Sequence, residues 1–369
     1  MKKTFLKMLI GIAPLCTFVA CDDEEKLSNE SSLISFTVSN GLVNKIDVDA
    51  DKISVYVPDT LTSNEIAAIK ISPKIEVSNG ATIVPASNTE VALTDGLKFT
   101  VTAENNKDSK VYPVEIVKYG KYTFEEEWPL NNDEMTEENG FHRPAYYRWD
   151  TSNTGIFFIK MMMSQVDIPY VATRVEDGKN LKYSALIQTA DTQGADLGAF
   201  FPKIPKITSG SLFTGSFLTD IANTLNSTKF GIPYIWEPVE LNVTFKYKAG
   251  SVYYNCPDAA NANVTEVVEN KSDEYSIAAV LYEVEKEDDV LTGVDINTSD
   301  KVILRAESFG KTTDWTTLNL KFEQKNGKSY DASKKYKLAL VFSSSRWGDT
   351  FSGAPGSALT IECIEVISK

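Results

Sequence analysis

The sequence predicts an all-β protein built as two β-sandwiches of unequal size. Three observations predict it. Segments of four to nine residues rich in Val, Ile, Tyr, Phe and Thr recur from residue 33 onward, punctuated by Gly, Asn, Asp and Pro, as in sandwiches and barrels. Residues 239–248 alternate strictly, every odd position apolar or aromatic and every even one polar, so one face of that strand is buried and the other wet. No long run of helical period interrupts these segments, and a single short helix is expected around residues 217–225.

The chain opens with Lys2 and Lys3, an apolar run from Phe5 to Ala20, and Cys21 followed by Asp22, Asp23, Glu24 and Glu25. The run is too short, and too interrupted by Lys7, Gly11 and Pro14, for a membrane span, and a small residue precedes the cysteine. Residues 1–20 therefore read as a lipoprotein signal peptide and Cys21 as the lipidated N-terminus, with an ordinary secretory peptide as the alternative. Residues 21–32 are polar and acidic, a tether with too little apolar surface to order itself. The whole chain carries 37 basic against 51 acidic groups, and losing Lys2, Lys3 and Lys7 takes its net charge from −14 to −17. Nucleic acid and anionic membrane surfaces are poor partners for such a chain, so membrane contact is expected through the lipid alone.

Residues 33–118 suffice for seven short strands, an immunoglobulin-like sandwich in which Phe99, Val101, Val114 and Ile116 alternate into a core. A boundary is expected near Tyr119-Gly120, where one strand ends at Lys118 and another begins at Tyr122. Residues 121–369 are long for one simple sandwich and suit a larger jelly roll with decorated loops. Within it, the alternation of residues 359–366 slips at Cys363-Ile364, as a bulge or a strand buried on both faces requires. Trp128, Trp149 and Trp315 are assigned to the core. Cys256 and Cys363 are the two cysteines left beyond the tether, and a disulfide between them stays open. There is no Cys-x-x-Cys, no His-Glu-x-x-His and one histidine, His142, in a loop, so zinc sites and histidine-based triads lack their parts. Any enzyme here needs carboxylates.

Two stretches carry a resemblance. Residues 71–81, 85–87, 97–105 and 112–116 resemble the immunoglobulin-like domain at the base of many Bacteroidetes surface lipoproteins, which implies a spacer; the acidic residues after Cys21 are similar to the surface-export signal of those lipoproteins. Residues 313–318, 336–345 and 348–359, with upstream support at 149–153, 210–215 and 230–233, resemble the putative carbohydrate metabolism domain at the C-terminus of such lipoproteins. That resemblance implies a jelly roll shaped like carbohydrate-binding modules, often placed in glycan-utilisation systems, in an outer-membrane, lipid-anchored protein facing the cell exterior. Family members commonly carry Asp-Asp in the last strand, where this chain has Glu362-Cys363. Carbohydrate-binding modules of this shape also imply a structural calcium between an acid on the first strand and one on the last, here Glu125 and Glu362, although two carboxylates are half a calcium site. No other cofactor is expected.

Sugar rings pack C–H faces on aromatic side chains and need fixed donors and acceptors for their hydroxyls, so glycan sites pair Trp or Tyr with Arg, Asp or Asn. The loop holding Arg346, Trp347 and Asp349 has that make-up. Trp236, beside Tyr234, and Tyr147, beside Arg148 and Trp149, are further candidates. A non-catalytic glycan-binding surface lipoprotein is the leading expectation. The alternatives are a glycosidase with two converging carboxylates, and a structural or adhesin protein whose strand edges pair with other surface proteins.

Overall fold

The computed structural model describes residues 27–125, 149–163, 167–198, 201, 203–220 and 223–369; Cys21, Trp128, His142 and Tyr147 lie outside them. The fold is all-β, as expected. In the first sandwich, Phe99 and Val101 on the strand Lys98–Thr102 are fully buried with Ile53, Val55 and Val57 of Ile53–Pro58. Phe36 meets Phe99 edge-on at 5.2 Å. Each such side chain contributes roughly 1.5–3 kcal/mol by leaving water.

The strand expected to stop at Lys118 continues. Ser109–Thr123 is one strand of 15 residues. Its first part pairs antiparallel with Lys98–Thr102 and parallel with Ile53–Pro58, and its last part, Lys118 to Thr123, pairs antiparallel with Ala358–Ser368. Tyr119 and Gly120 therefore lie within a strand that belongs to both sandwiches. A Cβ at 120 would stand 2.4 Å from Asp59 Oδ2, so any larger residue there displaces that side chain.

The second sandwich faces two sheets over one core. One sheet contains Ala172–Val175, Ser184–Gln188, Ala358–Ser368, Pro238–Lys248 and Thr316–Lys321. The other runs Trp149–Thr151, Ser211–Phe217, Lys335–Ser343, Tyr275–Val284 and Val302–Gly310. Leu241, Val243, Phe245 and Tyr247 are buried in this core, as the alternation demands. The slip near Cys363 is a bulge: Thr244 pairs with Cys363 but Phe245 with Ile361, leaving Glu362 as the extra residue. The bulge lets Ile361 and Ile364 both face inward. Trp149 is core, but Trp315 is not; it is half-buried, with Lys246 Nζ 4.9 Å from its ring centroid.

Helix falls elsewhere than expected. Phe217 ends a strand, residues 218–220 are irregular, and Thr224–Ser227 is a single 3-10 turn. The longer helix is Asn153–Met162, whose apolar run Ile156 to Ile159 reads locally like a buried strand. Its start is fixed at long range: Asn153, fully buried, accepts from the amides of Val171 and Ala172 and donates to the Ala172 carbonyl. Among the described residues no helix is long and apolar enough to cross a membrane. Cys256 and Cys363 are both free thiols.

Candidate functional site

The loop after Lys335–Ser343 is held from beneath by Asp273, a fully buried acid at the foot of the neighbouring strand. Its Oδ2 accepts from Ser345 Oγ at 2.5 Å, the Ala354 amide at 2.8 Å and Ser357 Oγ at 2.8 Å, while Oδ1 accepts from the Glu274 amide at 2.9 Å. Burial pushes this carboxyl above the usual range, and the four donors oppose that push. Ser345 and Ser344 share further hydrogen bonds with Thr189 from the other sheet, so the loop base is a buried polar network joining both layers.

Two cavities open on either side of this loop. A groove of mixed character, about 190 Å³, is lined by Ser276, Asn297, Arg305, Ser343, Arg346 and Asp349 together with Phe230, Val280, Ile296 and Val341. An apolar cavity of about 270 Å³ is walled by Phe158, Met162, Phe201, Phe217 and Phe351. Both include Ser209, Leu225 and Gly348, which form the ridge between them. A Cβ on Gly348 would stand 2.5 Å from Ser209 Oγ, so the ridge admits only glycine without displacement. Ser209 Oγ is buried at the junction with no hydrogen-bond partner among the described residues. Phe351 closes the turn Gly348–Thr350 with φ of 54°, a left-handed backbone that is costly for a bulky residue and sets its ring in the cavity wall.

The groove's polar groups are fixed in place. Arg305 donates to Glu307 at 2.7 Å, to the Ile296 carbonyl at 3.2 Å and to Asn297 Oδ1 at 2.7 Å. Arg346 pairs with Glu274 at 2.9 Å and stacks over Phe309 at 4.3 Å. Asp349 is the one carboxylate of the groove and Asp220 the one of the apolar cavity among the described residues, and Asp220 accepts from the Asn223 amide at 3.0 Å.

The structure thus brings Arg346 and Asp349 together and sends Trp347 away from the groove. Trp347 packs edge-on against Tyr253 at 5.9 Å, with Lys271 Nζ within 4.1 Å of both ring centroids, so its role here is to buttress the loop. Trp236 lies at the junction of the two sandwiches, touching both cores and donating from Nε1 to the Asp59 carbonyl at 2.9 Å. Its strand neighbourhood pairs with the start of Lys335–Ser343, the far end from Trp347, roughly 25 Å away at 3.3 Å per residue. Tyr147 is outside the described residues.

Glu125 and Glu362 do come together, on one turn. Glu362 Oε1 accepts from the amides of Lys179 at 2.5 Å, Asn180 at 2.5 Å and Leu181 at 2.9 Å, and Glu125 Oε1 accepts from the Tyr183 amide at 2.8 Å. Burial alone would push the Glu362 carboxyl up, but these donors outweigh it and hold it below the usual range. A carboxylate facing three N–H groups is a poor ligand for a cation, so this arrangement does not fit the calcium ion. Among the described residues no cluster of His, Cys, Asp or Glu is placed to hold a metal.

Sequence reasoning missed Asp273, Arg305, Ser209 and Phe351, none of which carries a local motif. Residues 123–367 match the family model described as putative carbohydrate metabolism domain, and residues 33–116 that described as SGBP, N-terminal, the surface glycan-binding proteins. A crystal structure of a putative glycoside hydrolase from Bacteroides thetaiotaomicron is 26% identical with a TM-score of 0.54, covering 94% of this chain and 99% of its own. Another putative glycoside hydrolase, from Bacteroides vulgatus, is 25% identical with a TM-score of 0.51, over 68% of this chain and 98% of its own. No curated protein matches.

Proposed function

The chain belongs to the putative carbohydrate metabolism domain family, and from that premise we propose that it binds glycan at the cell surface without cleaving it. The site is the pair of cavities around the 344–351 loop. The observation that carries this reading is the junction itself: fixed polar groups (Arg305, Asn297, Arg346, Asp349) beside an apolar wall of phenylalanines, with the Ser209 hydroxyl between them. That combination suits a saccharide's hydroxyl edge and C–H face. The match of the first sandwich to a surface glycan-binding protein supports a spacer at the cell surface, with lipid on Cys21 as its anchor.

Hydrolysis is the second reading, favoured by the names of the two Bacteroides neighbours and by Asp220 and Asp349 standing in adjoining cavities. Against it, each cavity holds a single carboxylate among its described residues, whereas glycoside hydrolysis takes two converging on one bond. The test is a glycan-array screen of the purified protein beside Arg346→Ala and Asp349→Asn, with reducing-end assays on every glycan retained. Retention that falls at least tenfold in the variants without sugar release supports binding at this site. Sugar release abolished by Asp349→Asn or Asp220→Asn establishes the enzyme instead.

A further inference from the structure

The two sandwiches enclose a third recess, distant from the loop, on the outer face of the sheet they share. It is an open polar cleft of about 630 Å³. From the first sandwich come Asn44, Lys45 and Tyr56; from the shared strand come Tyr119 and Lys121; Asn242, Glu365 and Ile367 complete it from the second. We infer that this cleft is a second saccharide-binding site that exists only because the two domains are joined by one strand. The inference rests on the glycan-binding reading above and adds a second site to it.

Tyr119, edge-on to Tyr56 and bonded to Glu365, helps join the sandwiches, but holding the domains together does not account for Asn44, Lys121 or Asn242. That is done by the backbone pairing of Ser109–Thr123 with both sandwiches and by Trp236 against Asp59. The cleft gathers Asn44, Lys121, Asn242 and Glu365, while Lys45 pairs with Asp47 at 2.7 Å outside its lining. Tyr119 donates its hydroxyl to Glu365 Oε1, which orients both groups and leaves the second carboxylate oxygen open to a sugar hydroxyl. Asn242 accepts from Asn319 Nδ2 at 2.5 Å, which fixes its amide plane. Lys121 stands opposite Glu365 in the strand register and has no ion-pair partner among the described residues, and Asn44 is exposed at the rim.

Ile367 supplies apolar surface beside Tyr56, whose ring carries Lys45 Nζ 4.9 Å from its centroid. Half-buried, Tyr56 packs edge-on against Tyr119 at 5.6 Å, so its position is set by the wall behind it. One carboxylate among two lysines, an asparagine pair and two tyrosines is a poor cation site and a match to the hydroxyls of a saccharide. The volume exceeds what one or two ordered waters fill and suits a short oligosaccharide segment.

The experiment screens the purified protein on an array of plant, fungal and host glycans, then titrates the retained oligosaccharide by calorimetry. Wild type is compared with Asn44→Ala/Lys121→Ala, two exposed positions whose loss leaves the core intact, with Tyr56→Ala, and with Arg346→Ala. The expected result is two sites per chain, with one site lost or weakened about tenfold in each cleft variant and the other in Arg346→Ala. One site per chain, lost in Arg346→Ala and untouched by the cleft variants, overturns the inference and leaves the loop site standing. Binding lost only in the cleft variants upholds the cleft and removes the loop site. No glycan bound by wild type overturns both.

Discussion

Replacing Glu362 with glutamine keeps the side chain's shape and removes its charge. The carboxylate sits at the bulge of Ala358–Ser368, where that strand's edge partner changes from Ser184–Gln188 to Ser109–Thr123, and its Oε1 holds three backbone N–H groups of the 179–181 turn. Hydrogen bonds to a charged acceptor contribute about 1.5–3 kcal/mol each against about 0.5–1.5 kcal/mol for neutral pairs. Losing the charge at three such bonds sets the expected cost at about 2–4 kcal/mol, read from urea denaturation at neutral pH. The difference should shrink in acid. A carboxyl held below its ordinary value contributes stability that is complete above the unfolded value, about 4.3, and is lost as pH falls through the folded one. Calcium and chelator should leave the wild-type midpoint unchanged, because the donors already occupy the carboxylate. A Glu362→Gln protein within about 1 kcal/mol of wild type, or a wild-type midpoint that rises with calcium, would refute this account.

Asp273→Asn leaves Ser345, Ala354 and Ser357 sharing a weaker acceptor, and should cost about 2–4 kcal/mol in denaturation while weakening glycan retention through the loosened loop; unchanged retention would detach the loop from the site. Gly348→Ala drives a methyl into Ser209 on the ridge, and calorimetry should show at least a tenfold loss of affinity at a stability cost of about 1–3 kcal/mol. Trp236→Ala, which removes a contact between the sandwiches and a hydrogen bond to Asp59, should lower stability by about 2 kcal/mol and leave affinity for the loop site within twofold. Because one strand belongs to both sandwiches, fluorescence and hydrogen exchange should report one unfolding transition; two separated transitions would mean the domains open independently.

What the sequence shows and hides follows from the range of the interactions. Leu241, Val243, Phe245 and Tyr247 declare their burial because alternation is local, and the slip at Cys363 is visible for the same reason. The helix Asn153–Met162 is not visible, since Ile156 to Ile159 suit either state and the deciding contacts come from residues 171 and 172. Tyr119-Gly120 imitates a break because glycine is a turn residue, whereas here its missing side chain makes room for Asp59, some sixty residues earlier. Composition singled out the Arg346–Asp349 loop, and those two residues do line a groove. Composition could not separate Trp347, whose face is taken by Lys271, from an open sugar platform. Asp273 looks like any acid in a polar run until the 345–357 loop folds over it.

The shared strand also decides what kind of surface protein this chain can be. Two sandwiches on a flexible linker would present a glycan site at any angle to the anchor, and would gain reach at the expense of orientation. Here fifteen residues, roughly 50 Å of extended chain, run without interruption from the first core into the second. Bending at the junction would break ladder pairs on both sides, from Pro58 with Tyr119 to Ser368 with Lys118. The first sandwich is therefore a rigid mount. It fixes the direction in which the 344–351 loop faces, and it supplies one wall of the cleft beside Tyr56, so under the second-site proposal the spacer takes part in recognition as well as in reach.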